Sequence, residues 1–193
     1  MCSSDLLAAH GFDEVLGDEV LHRRFPQAVK GGMGYHDPET MLLARETIER
    51  LEALKAKDGR PFLVVVASLD SHEPGLPPAD CNLPSVPWAP ADAGGRRALA
   101  GYHCTDKALA TLGDFLLAPG RRDRVLWGIT GDHAPFRTPS NESVFKGLET
   151  GWAFDRLPLL IHDPTHDLPH KVPVLSGSLD VAPTLLHLAG VTD

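Results

Sequence analysis

Three apolar runs punctuate the chain: Phe62-Leu-Val-Val-Val-Ala-Ser68, Val125-Leu-Trp-Gly-Ile-Thr130 and Leu157-Pro-Leu-Leu-Ile161. Each is short and β-prone and predicts a strand, the first with the pattern of one buried on both faces and the second a buried one. Pro158 marks the third as a strand start or an edge. Around them the period changes from strand to helix. Met41, Ala44, Ile48, Leu51 and Leu54 recur at three- and four-residue steps and predict a helix from residue 37. Asp37 is its expected N-cap, Pro38 its first position and Gly59 its stop. Residues 96–117 carry a second stripe, Leu99, Tyr102, Asp106, Leu109, Leu112 and Leu116, closed by Pro119-Gly120. A last helix covers 181–188, capped by Ser178 or Asp180 and ended by Gly190.

The remainder is irregular. Residues 1–36 hold only a short helical stretch around 4–9, and Gly31-Gly-Met-Gly34 reads as a loop. The Pro-rich segment 74–90 is long for a connection inside a compact domain, which favours a lid or binding loop. The order helix, strand, helix, strand, strand, helix predicts an α/β layer fold: a largely parallel sheet flanked by helices, in one domain over residues 1–193.

Composition narrows the function. A net charge of −8 argues against a nucleic-acid partner, and 42% hydrophobic with 23% charged residues is ordinary for a globular protein. No apolar run reaches a membrane span, and the first residues lack the pattern of an export signal. Cysteines 2, 81 and 104 are odd in number and widely spaced, so neither a disulfide framework nor a cysteine zinc site is expected.

Candidate chemistry gathers at the carboxyl ends of the predicted strands. Asp132 and His133 follow the 125–130 run through Gly131, and a carboxylate beside an imidazole can hold a divalent metal. The alternative is a polar turn. His72 leaves the 62–68 run in the same way, and should share an edge with Asp132 if the two strands are parallel. His162, His166 and His170 have helical spacing, but Pro164 and Pro169 forbid the helix, leaving a solvated loop. His103 and Cys104 are adjacent on a helix and do not face each other, which makes a poor thiol–imidazole pair.

These segments carry a resemblance. Ile129-Thr-Gly-Asp-His133 resembles the metal-binding turn of the alkaline phosphatase/sulfatase superfamily. Ser68-Leu-Asp-Ser-His-Glu-Pro74 resembles the His-x-Pro segment of its lipoteichoic acid synthase and phosphoethanolamine transferase branch. Leu157–Ile161, with the Asp180-Val-Ala-Pro-Thr-Leu-Leu-His-Leu-Ala-Gly190 segment, resembles that superfamily's late strand and helix. Gly11-Phe-Asp13, Gly34-Tyr-His-Asp37 and the segment 106–116 fall in the same order.

The resemblance implies a partial alkaline-phosphatase-like sandwich and metal-dependent hydrolysis or transfer of a phosphate or sulfate ester. It implies Asp132 and His133 as metal ligands and His72 as a donor to substrate oxygen. Zn or Mn is the first expectation for the metal, with Ca and Mg as alternatives. The family's nucleophile and early acidic ligand lie upstream of the region matched, and no Cys-x-Pro-x-Arg sulfatase signature is present. The expectation is therefore a carboxyl-terminal part of a catalytic domain holding half of the metal site. Its parent would be membrane-anchored at the cell envelope. The alternative is a non-catalytic remnant or binding module of the same fold. Ala134 stands where the family commonly has Gly, and Gly75 where this branch often has an aromatic residue.

Overall fold

The computed structural model describes residues 7–74, 76–87, 89–90, 92–146, 154, 156–172, 174 and 176–191. Gly75 and the start of the 4–9 stretch lie outside them. The chain forms two compact units, Met1–Leu112 and Gly113–Asp193.

The first unit is helical. A short helix not anticipated from the pattern, α1 (Asp18–Arg24), begins with Asp18 and Glu19 and ends with His22, Arg23 and Arg24, charges that suit its dipole. Arg24 forms a forked pair with Glu46 of α2 (Asp37–Asp58) at 2.6 and 2.9 Å. The predicted stripe on α2 packs inward through Met41, Ala44 and Ile48, whereas Leu54 is exposed. Gly59 ends α2 in the left-handed conformation that its φ of 73° requires. Helix α3 (Ala93–Leu116) begins before the predicted residue 96. Its buried positions in this unit include Leu99, Cys104, Ala108 and Leu112.

Two expectations fail here. Asp37 is not the N-cap of α2: His36 is, and Asp37 sends its buried side chain elsewhere. Residues 63–68 alternate between exposed and half-buried as a strand would, but the predicted run 62–68 pairs with no other strand among the described residues. Leu63 and Val65 consequently remain exposed. An apolar run sets extended geometry locally; a ladder needs a partner from elsewhere in sequence.

The second unit contains the sheet. Strand β1 (Trp127–Thr130) pairs with β2 (Leu159–His162), Trp127 opposite His162 and Thr130 opposite Leu159. The pair is antiparallel, so the largely parallel sheet expected is not what the described residues form. A parallel return needs a crossover, usually a long helix laid on the sheet. The described part of this connection offers only the seven-residue helix α4 (Pro139–Phe145), capped by the Thr138 side chain. Helix α5 (Ser178–Leu188) approaches β1 closely: a Cβ at Gly128 would lie 3.0 Å from Leu185. Asp180 accepts the Gly177 N–H and completes the N-terminal turn of α5. Among the described residues no helix is long and apolar enough to cross a membrane.

Candidate functional site

In the second unit the chain leaves β1 and turns at Gly131, where a Cβ would come 2.9 Å from Leu157. Asp132 and His133 follow at once. The Asp132 carboxylate accepts the His133 N–H at 2.9 Å, and its side chain is 90% exposed. The His133 ring donates from Nδ1 to the Ala134 carbonyl at 2.8 Å and stacks against Phe136. A carbonyl can only accept, so in the neutral ring the lone pair sits on Nε2. That nitrogen is 3.8 Å from Asp132 Oδ2. Two donors each about 2.1 Å from one ion stand at most about 4.2 Å apart, so this separation is within the reach of one divalent cation. Among the described residues no group of three or more His, Cys, Asp or Glu is assembled for a metal.

In the first unit His72 makes the same bond as His133. Its Nδ1 donates to the Glu73 carbonyl, the next residue, at 2.7 Å. Both histidines lie in His-x-Pro segments, His72-Glu-Pro74 and His133-Ala-Pro135. His72 lines a small cleft with Gly31, Gly34, Leu69 and Asp70. The sheet edge expected to unite His72 with Asp132 rested on a parallel pair, and residues 62–68 are not in the sheet.

Beside His72 lies a buried cluster that sequence reading missed. Asp37 is wholly inaccessible, and Asp70 and His36 are nearly so. The Asp37 carboxylate accepts the N–H groups of Leu69 at 2.6 Å and Asp70 at 3.3 Å, and the Thr105 hydroxyl at 2.7 Å. The Asp70 carboxylate accepts the Asp37 N–H at 2.9 Å and His36 Nδ1–H at 2.6 Å. Burial pushes the Asp37 carboxyl above the usual carboxylate range, against the Thr105 and Leu69 hydrogen bonds; the nearby Asp70 charge adds to the rise. Burial also raises the Tyr102 hydroxyl, with a further push from Glu73. The signals in sequence were Asp70, two positions before the candidate histidine, and the Gly34-Tyr-His-Asp37 segment of the resemblance, neither of which says that the two meet.

The cysteines correct a further expectation. Cys81 and Cys104 form a disulfide with Cα atoms 6.1 Å apart, joining the Pro-rich segment to α3. Their separation of 23 residues carries no local pattern. Cys104 is therefore no nucleophile. The later histidines are dispersed: His162 in β2 donates to the Arg122 carbonyl, while His166 joins Thr165 around the Asp163 carboxylate.

A family model described as sulfatase matches residues 1–191, nearly the whole sequence. The chain belongs to the sulfatase family. This sulfatase-family chain is 28% identical over 155 residues to lipoteichoic acid synthase 2 of Bacillus subtilis (strain 168), a match covering 76% of the chain and 23% of that protein. Its fold is similar to that of the lipoteichoic acid synthase LtaP from Listeria monocytogenes, with a TM-score of 0.74 at 23% identity. That likeness covers 97% of the chain and 46% of the solved one. The chain thus spans about a quarter of the length of the curated relative and about half of the solved chain.

Proposed function

We propose that this chain is part of a metal-dependent catalytic domain that hydrolyses or transfers a phosphate or sulfate ester. Asp132 and His133 are its contribution to the metal site, and His72 binds a substrate oxygen. One observation carries the reading: His133 Nε2 and Asp132 Oδ2 stand 3.8 Å apart, with the ring fixed from behind through Nδ1. A Zn or Mn ion there would neutralise charge on the transferred group. His72, when protonated, would use Nδ1–H on the Glu73 carbonyl and offer Nε2–H to an anionic oxygen.

The greater length of the relatives supports assigning the nucleophile and the remaining ligands to sequence outside these 193 residues. A cell-envelope location agrees with the names of the relatives, and the Cys81–Cys104 disulfide favours an oxidising compartment.

The test is a titration of the chain with Mn²⁺, followed through paramagnetic broadening of the His133 ring signals. Broadening at low Mn²⁺ that disappears in Asp132→Ala is the expected result. Equal broadening in wild type and Asp132→Ala, or none at His133, would overturn the metal assignment.

A further inference from the structure

A histidine that recognises an anion must keep its ring in one place, and what holds His72 is visible in the bonds around it. Resting on the proposed role of His72, we infer that Asp70 is a positioning residue, clasped by Asp37 and His36, that sets the turn presenting the His72 ring.

The bonds form a continuous path. Asp37, at the start of α2, accepts the Leu69 N–H. The Leu69 carbonyl in turn accepts the His72 N–H at 3.0 Å, which closes the turn 69–72. Asp70 returns the connection by accepting the Asp37 N–H and the His36 ring N–H. Two residues on, the His72 ring is tied to the Glu73 carbonyl. The far side of His36 is closed by Gly31, where a Cβ would come 2.9 Å from its Cε1. The Gly31 N–H bonds the Gly34 carbonyl at 2.7 Å, so the glycine loop backs the ring. Every bond in this path ends within the first unit.

Packing alone is a poor account of the cluster. Two carboxylates are buried here, and Asp37 is met by two amides and a hydroxyl rather than by a cation. An apolar cluster of the same volume would avoid the desolvation cost. Directional hydrogen bonds give what apolar contacts cannot: a defined backbone register for the residues they hold.

The experiment is nuclear magnetic resonance on the 193-residue chain, in two measurements. The first is the order of the His72 ring from ¹³C relaxation, with no ligand present. The second is the His72 shift on titration with inorganic phosphate. Asp70→Asn keeps the volume but removes the charge that holds His36. It should lower His72 ring order and weaken the phosphate response at least tenfold. Gly31→Ala removes none of these hydrogen bonds but presses on His36, and should act in the same direction. Thr105→Val deletes a hydroxyl that bonds only the Asp37 carboxylate and leaves every bond to Asp70 in place, so it should lower both measurements far less than Asp70→Asn. Unchanged His72 order in Asp70→Asn and Gly31→Ala would overturn the inference, as would an equal loss in Thr105→Val. A wild-type chain whose His72 ignores phosphate would defeat the substrate role alone, because ring order still decides the positioning role.

Discussion

Asp37 and Asp70 each accept the other's backbone N–H, at 3.3 Å into Asp37 and 2.9 Å into Asp70, although 33 residues separate them. This exchange fastens the start of α2 to the turn that carries His72. Asp37→Ala would orphan the Leu69 and Asp70 amides and the Thr105 hydroxyl in the interior. Buried unsatisfied groups cost about 1–3 kcal/mol each, so a net loss of about 3 kcal/mol is expected, because removing the buried carboxylate offsets part of the sum. Thr105→Val should cost about 1 kcal/mol. Urea unfolding of the two variants would measure both, and a loss under 1 kcal/mol for Asp37→Ala would refute the account.

The disulfide supplies a second stability prediction. Cys81 and Cys104 close a loop with a sequence separation of 23 residues, for which the chain-entropy estimate is about 3 kcal/mol. Cys104→Ser should lower unfolding stability by about that amount, and a reductant should lower the wild type alone. Equal stability with and without reductant would mean the bond does not form in solution.

Acid should act on two carboxyls in opposite senses. Burial raises the Asp163 carboxyl, but hydrogen bonds from the Thr165 hydroxyl, its amide and His166 outweigh this and lower it from 3.8 to about 2. A depressed carboxyl contributes stability above its ordinary value and loses it as pH falls towards the folded value. Asp163→Asn should therefore flatten the fall in stability between about pH 4 and pH 2. Asp37 is raised, so its contribution is present below the ordinary value and lost as pH rises through the folded one. Asp37→Asn should make the acid limb steeper. Unfolding free energies across pH 2 to 6 would show whether the two slopes have opposite sign.

Gly113 lies against Trp127, where a Cβ would come 2.8 Å from the indole Cη2. On helix propensity alone, Gly113→Ala in α3 should gain about 1 kcal/mol. The indole is rigid and gives way only by moving β1, and overpacking of this kind costs about 1–3 kcal/mol. The expected outcome is a net loss of stability with reduced near-ultraviolet tryptophan ellipticity. A more stable variant would show that the strand yields freely.

Leu63 is 73% and Val65 66% exposed on the extended run, which pairs with no strand among the described residues. Apolar segments with open backbone edges pair with other chains. Leu63→Lys combined with Val65→Lys should raise the soluble, monomeric fraction of the chain in light scattering while leaving its melting temperature within about 2 °C, since neither side chain is buried. No change in aggregation would place the association surface elsewhere.

The candidate site residues were legible as candidates because their signals are local. Gly131-Asp132-His133 and His72-Glu73-Pro74 are contiguous, and a turn after an apolar run places polar groups together whatever the rest of the fold does. Helices α2, α3 and α5 were legible for the same reason, since a stripe at three- and four-residue spacing and a terminal glycine report on backbone geometry within a few turns. The strands β1 and β2 were found as strands, but their direction was not.

From sequence alone came helices α2, α3 and α5, two strand segments, the turns carrying His72 and Asp132-His133, and the family resemblance, all encoded in runs of neighbouring residues. Tertiary structure decided the antiparallel pairing of Trp127–Thr130 with Leu159–His162, the Cys81–Cys104 bond and the turning of Asp37 from helix cap to buried acceptor. These depend on partners 23 to 68 residues away, as the Cys81–Cys104 and Thr105–Asp37 contacts show. Local dihedral and burial patterns do not specify which distant group will meet a side chain; only the packed chain brings donor and acceptor within bonding distance.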